Sequence, residues 1–447
     1  MAYIPHTDED RRAMLTAIGL ERMDDLYDAI PQEVRFPDLN LPDPISEMEI
    51  MGELRALSEA NLEVQHVSCF LGAGAYHHFI PSVVDHTLRR NEFYTAYTPY
   101  QPEISQGTLQ AIYEYQSLMC NLTGMEVSNA SHYDGATALA EAVILAYNQH
   151  RGKRSKVVLS PAIHPQFRQV VRTYSQGMGL TLVGDESLDN GVEELAGMLD
   201  KDTTLVAVQY PDFFGRIKDF SKLGEAAQEV GALLCVVVNP LALGLLTPPS
   251  DFGADVVVGE GQPLGIPLSY GGPYLGIFTT RKKYVRKMSG RLVGETVDNR
   301  GQRGYVLTLT PREQHIRREK ATSNICTNQG LMALATAVYL SVMGKHGLRK
   351  VAELCYHKAH YAAEQIAALE DYSLWHDGPF FHEFAVTCPR PVAEINDRLI
   401  DYDILGGYDL GQDYPILKDH MLIAVTEVNS KEEIDDLVAA LEEMAHD

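Results

Sequence analysis

Between residues 66 and 310, short unbroken apolar runs alternate with stretches whose apolar positions recur at helical spacing. The runs are Lys156–Ser160, Thr203–Val208, Leu233–Val238, Asp255–Val258 and Tyr274–Phe278. A strand that is apolar on both faces must be covered on both faces, and that is the signature of a buried parallel sheet. The intervening stretches Ala136–His150 and Pro165–Met178 carry the period of helices. The alternation predicts an α/β domain over 66–310, a mostly parallel sheet between two helical layers.

The pattern changes beyond residue 310. Two long helical periods, Asn328–Met343 and Leu348–Leu369, are separated by Gly344 and Gly347. Strand signals follow at Phe380–Thr387 and Met421–Val425. Ser430-Lys-Glu-Glu433 then offers a capping box before Ile434–Met444. Residues 311–447 are expected to form a smaller α+β domain with a partly antiparallel sheet. Residues 1–65 read as an acidic helical arm, capped at Thr7–Asp10, with an extended strap at Pro37–Pro44. The strap cannot build its own core, so the arm is expected to fold against a neighbouring surface. There are no internal repeats and no low-complexity tract.

Charge narrows the function classes. The 447 residues carry a net charge of -24, which argues against nucleic acid or an anionic membrane as partner, since both reward basic surfaces. The six cysteines contain no C-x-x-C pair, so neither a disulfide framework nor a zinc site is expected. Cys235, inside an apolar run, reads as a small core residue. The first ten residues lack a signal-peptide core, and no apolar run approaches the ~18 residues of a membrane helix. A cytoplasmic location is expected.

Five segments carry candidate chemistry. Asn129–Ala142 opens a helix with small polar residues and Gly135, either a phosphate seat or a cap that satisfies its own backbone. Gly259-Glu-Gly-Gln-Pro-Leu-Gly265 mimics a dinucleotide loop. However, Pro263, Pro267 and Pro273 forbid the helix such a loop must enter, so a turn is expected. Glu92–Gly107 gathers tyrosines, threonines and prolines, as a substrate channel, an interface or a packed loop would. Phe70–Pro81 holds glycines beside His77 and His78. Adjacent histidines point apart, so no shared metal is expected, and a surface or supporting role suits them better. Arg312, Arg317, Arg318 and Lys320 form a basic run in an acidic chain, able to grip an anion or simply to face solvent.

Together these blocks resemble the glycine decarboxylase P-proteins of the glycine cleavage system, most closely the lysine-less chain of the two-subunit form. The matching stretches are Phe70–Pro81, Tyr94–Gly107, Asn129–Ala142, Asn239–Gly244, Gly253–Gly272 and Arg312–Asn328. The resemblance implies a type I pyridoxal phosphate (PLP) transferase fold, like that of aspartate aminotransferase. In the family, glycine is decarboxylated and its aminomethyl group passes to the lipoyl arm of H-protein. Aligned on Ile266, Pro267 and Gly271–Pro273, Gln262 stands where the partner subunit has its Schiff-base lysine. Asn239 replaces the aspartate that pairs the cofactor's ring nitrogen.

The resemblance therefore implies an empty pocket that binds no cofactor, with PLP on a lysine-bearing second subunit and the two chains paired into a heterotetramer. His164 matches the position that stacks on the cofactor ring and would be left with nothing to stack on. The residues expected to reach the partner's site are Tyr94, Tyr97, Thr98, Tyr100, Gln101, Glu103, Ser105 and Gln106, with Ser131 and Asp134 as further candidates. Two rivals remain: a PLP enzyme that uses another lysine, and a pure scaffold.

Overall fold

The computed structural model describes residues 6–446; Met1–Pro5, part of the stretch read for targeting signals, and Asp447 lie outside the described residues. The chain divides into two compact units, one ending at Leu62 and the other starting at Glu63. The expected boundary at 310 falls inside the second unit.

In the first unit, Asp8–Ala17 and Glu47–Glu59 are helices. Each starts with a reciprocal capping box, Thr7 with Asp10 and Ser46 with Glu49. Leu15 is buried, but Ile18, Leu39, Leu41, Met48 and Leu57 are exposed.

The second unit is built on a seven-stranded sheet. Its strands are β1 (Val127–Ser128), β2 (Lys156–Leu159), β3 (Thr181–Val183), β4 (Thr203–Tyr210), β5 (Leu233–Val238), β6 (Val256–Glu260) and β7 (Gly276–Thr280). Their order across the sheet is β1-β7-β6-β5-β4-β2-β3. All neighbours from β6 through β3 pair in parallel, and β7 runs antiparallel to both β6 and β1. Every residue of Leu233–Val238 is buried, as a strand covered on both faces requires. The helix Gly135–Gln149 packs Leu139, Val143 and Ala146 on one face, while Phe220, Leu223 and Phe252 cover the other.

After β7, Leu292–Val297 and Arg303–Thr308 form an antiparallel hairpin that the apolar pattern did not announce. A four-stranded antiparallel sheet follows, in the order 373–374, 383–387, 420–424, 408–409. The capping box at Ser430 is present: Glu433 N–H donates to the Ser430 hydroxyl and the Glu433 carboxylate accepts from Ser430 N–H. The two long helical periods form Gly330–Ala367, broken in its dihedrals at Gly344 (φ 58°). Contrary to the expectation from the sequence, this helix contains a stretch apolar enough to cross a bilayer. Its buried residues, among them Tyr339, Leu340 and Ala352, pack with Leu241 and Leu264 in the core.

Candidate functional site

Open α/β sheets present their sites beyond the carboxyl ends of the strands. Here four such ends converge: His164 after β2, Gln209 in β4, Asn239 after β5, and Glu260 to Gln262 at the end of β6. The helix Gly135–Gln149 points its N-terminus at the same place.

The Glu260 carboxylate fills that helix start. One oxygen accepts the Gly135 N–H at 3.0 Å, and the other accepts Gln262 N–H at 3.1 Å and Leu275 N–H at 3.0 Å. Burial pushes its pKa up to about 7, while the N–H donors from Leu275, Gly135 and Gln262 pull the other way. Position 135 has no room for a side chain: a Cβ there would lie 2.9 Å from Glu260 N and 2.9 Å from the Phe167 ring.

Gln262 is 1% exposed. Its amide oxygen accepts Tyr76 N–H at 2.9 Å, and its NH2 donates to Tyr76 O at 2.8 Å and Ile266 O at 2.9 Å. The amide thus pairs with the backbone of residue 76 as a neighbouring strand would. Both of its N–H groups are used.

The glycine-rich segment around Gly74 is drawn into the same space. Ala73 O pairs with His164 Nε2 at 2.8 Å, and Ala73 N–H donates to Glu383 at 2.7 Å. Tyr76 OH donates to the other Glu383 oxygen at 2.7 Å. A Cβ on Gly74 would meet the His164 ring at 2.9 Å. His164 does have rings to stack on, which corrects the expectation. Phe167 stacks against it at 5.0 Å with the ring planes 25° apart, and Phe213 meets it edge-on at 4.9 Å. Asn239 turns back on its own loop, its Oδ1 accepting Leu241 N–H at 3.0 Å. Between Gly74, His164, Gln209, Asn239 and Glu260 only about 30 Å3 of cavity remains, room for a water molecule or so.

The tyrosine-rich segment lies elsewhere on this unit and faces outward. Tyr94 is 66% exposed and Tyr97 80%, and Tyr100, Gln101 and Glu103 are exposed as well. Thr98 and Ser105 are half-buried. A cavity of about 200 Å3 opens behind Tyr94 and Tyr97, bounded by Phe93, Ile112 and Leu331. Gln106 is exposed, but its amide is engaged within the chain. Its amide clamps Tyr305, accepting Tyr305 N–H at 2.8 Å and donating to Tyr305 O at 2.9 Å. Ser131 is fully buried, and its hydroxyl accepts from Gln329 N–H and Asn328 Nδ2, each at 3.2 Å. It cannot reach another chain. Asp134 caps its helix, accepting Thr137 N–H at 2.7 Å.

Of the two histidines, His78 is buried rather than on the surface. Its Nδ1 lies 2.7 Å from Glu427 Oε2. Burial alone would raise the Glu427 pKa, but the His78 contact holds it down to about 2. His78, Cys355 and Glu427 are the one group among the described residues whose ligand atoms cluster within 4.8 Å. The 2.7 Å separation is that of a direct hydrogen bond to the carboxylate.

A family model described as "Glycine cleavage system P-protein" matches residues 1–441. The chain belongs to the glycine cleavage system P-protein family. Among relatives of this P-protein, a probable glycine dehydrogenase (decarboxylating) subunit 1 from Thermomicrobium roseum is 57% identical, with 99% of each chain covered. One of the same name from Geobacillus kaustophilus is 53% identical over 98% of each. The crystal structure of a P-protein glycine decarboxylase in inhibitor-bound form superposes with a TM-score of 0.91. It is 41% identical, covering 99% of this chain and 100% of that one. A sphingosine-1-phosphate lyase from Burkholderia pseudomallei shares only 14% identity, yet reaches a TM-score of 0.66 over 93% of this chain and 94% of its own. The P-protein architecture is thus the type I fold of PLP-dependent transferases.

Sequence reasoning found Gln262 and Asn239 but missed Glu260 and Phe167. The available signal was an acidic residue, Glu260, closing an otherwise apolar strand.

Proposed function

We propose that this chain is the subunit of a glycine decarboxylase that holds no PLP of its own and completes the active site of a lysine-bearing partner. One observation carries the reading: the helix N-terminus that suits a phosphate is already taken by the Glu260 carboxylate. The other residues agree with it. Gln262 offers an amide that cannot form an imine, Phe167 and the Gly74 segment crowd His164, and Asn239 offers no carboxylate to a ring nitrogen. These residues do not fit the cofactor.

The name borne by the relatives, a numbered subunit of a decarboxylating glycine dehydrogenase, supports a second subunit. With that partner, glycine loses its carboxylate as CO2 and the aminomethyl group passes to the lipoyl arm of H-protein. Cofactor on the partner would supply the electron sink. This chain contributes Tyr94, Tyr97, Thr98, Tyr100, Gln101, Glu103 and Ser105 from its outward-facing segment. The exposed apolar side chains of residues 8–62 give the assembly a further surface to bury, and two such pairs make the heterotetramer, in the cytoplasm.

Co-expression with the lysine-bearing subunit, then glycine decarboxylation with each chain omitted in turn, tests the reading. Activity should need both chains. This chain alone, incubated with PLP, should show no visible absorption from bound cofactor. Turnover by this chain alone would refute the proposal.

A further inference from the structure

Residues 281–320 hold 12 of the 37 Lys and Arg residues and only four of the 61 Asp and Glu. That segment is therefore net +8, and the other 407 residues together carry -32. A single basic run is usually a solvated face. Here the fold gathers several runs around one hairpin. Arg312 donates to Met288 O at 2.6 Å, joining the turn after the hairpin to the turn before it. Leu292 pairs with Thr308 at the hairpin base. Lys282 and Arg286 thus flank one side of that base, Arg317, Arg318 and Lys320 follow the other, and Arg303 rises on the hairpin itself. All six are exposed, and among the described residues none has an ion-pair partner.

Two features set this surface apart from a merely wet one. Apolar side chains are exposed among the charges, Val297 on the hairpin and Ile316 beside Arg317, a mixture typical of protein interfaces. The surface also adjoins the tyrosine segment. The His315 ring meets Tyr100 edge-on at 5.6 Å, and buried Arg291 donates to Tyr100 OH at 3.3 Å with its guanidinium 5.7 Å from the ring centre. At physiological salt, charges act over roughly 8 Å, so an approaching partner feels chiefly the net positive charge of this patch.

We infer that the surface of Lys282, Arg286, Arg303, Arg317, Arg318 and Lys320 docks an acidic protein, the lipoyl-bearing carrier of the proposed reaction, beside the tyrosine segment. The inference rests on the proposed function, because a carrier must seat its arm next to the site it serves. Complementary charge would speed its encounter and set its orientation more than it would deepen the final affinity.

The test uses the two-subunit complex in wild-type form, with Arg317→Glu/Arg318→Glu/Lys320→Glu, and with Lys282→Glu/Arg286→Glu. Binding of the purified carrier protein is measured at low and at physiological salt. Decarboxylation is measured with the carrier and with free lipoamide, which needs no docking. Each variant should raise the KM for the carrier about tenfold or more, leave kcat and the lipoamide rate nearly unchanged, and lose most of the salt dependence of binding. An unchanged KM and unchanged carrier binding would overturn the inference. So would variants that dissociate the two subunits, which would make the patch part of the subunit interface, or wild-type binding to duplex DNA that both variants abolish. A complex inactive with carrier and lipoamide alike would sink the proposed function instead, and salt-dependent carrier binding would still decide the docking surface.

Discussion

The Glu260 carboxylate lies 3.0 Å from the backbone N–H of Gly135, at the first turn of the helix Gly135–Gln149. A side chain of this protein thus takes the acceptor position that a helix N-terminus offers to an anion. It also ties that helix to the end of β6 and, through Leu275, to the entry of β7.

Replacing Glu260 by Ala should leave three buried N–H groups without an acceptor and cost about 2–5 kcal/mol, read from urea unfolding. Glu260→Gln should cost less, and the difference should depend on pH. The folded pKa, about 7, is raised above the ordinary 4.5, so this group's stabilising contribution is complete below 4.5 and declines as pH rises through 7. Glu260→Gln lacks that decline and should gain on wild type by about 1–3 kcal/mol between pH 5 and pH 8. Parallel stability curves across that range would remove the carboxylate from its assigned place.

Gln262→Lys alone should not create a PLP enzyme. It strips Tyr76 N–H of its acceptor and buries an ammonium where Glu260 and Phe167 already occupy the pocket. A loss of about 2–4 kcal/mol is expected with no visible cofactor absorption. If the single variant takes up PLP and absorbs in the visible range, the pocket is open rather than filled.

Tyr97→Phe and Tyr100→Phe test the contribution to the partner's site. Tyr97 is 80% exposed, so losing its hydroxyl should barely affect this chain's stability. The assembled complex should lose about two- to tenfold in kcat/KM, the worth of one hydrogen bond, while it elutes as an intact complex. Wild-type turnover in both variants would leave this chain as a scaffold.

Ser131→Ala should behave the opposite way. Its hydroxyl holds Asn328 and Gln329 within this chain. Thermal unfolding should therefore show a loss of about 1–3 kcal/mol, with kcat per assembled complex unchanged. A kcat defect in a stably assembled variant would return Ser131 to the site.

Glu427 should respond to acid. Its pKa, held at about 2 beside His78, lies below the ordinary 4.5, so its contribution is present above 4.5 and lost as pH falls towards 2. Glu427→Gln should cost about 2–4 kcal/mol at pH 7 by removing the carboxylate bonded to His78 Nδ1 and Phe79 N–H, and less near pH 3. Equal losses at both values, in denaturant titrations, would mean that the Glu427 carboxylate is not held ionised there.

The sequence by itself determined the layered α/β fold, the capped helices and the absence of an imine-forming lysine at position 262. Those features depend on period, on turn residues and on side-chain identity, all of which are local. Only the tertiary structure decided what fills the pocket. Glu260 and Gly135 lie 125 positions apart, on a strand end and a helix start that no pattern of spacing connects. Tyr76 meets Gln262 across 186 positions, and Gln106 meets Tyr305 across 199. Ser131 and Gln106 read as candidates to reach a partner because their types suit that task. Burial commits Ser131 to this chain and hydrogen bonds engage both residues within it, and those depend on packing that spacing does not encode.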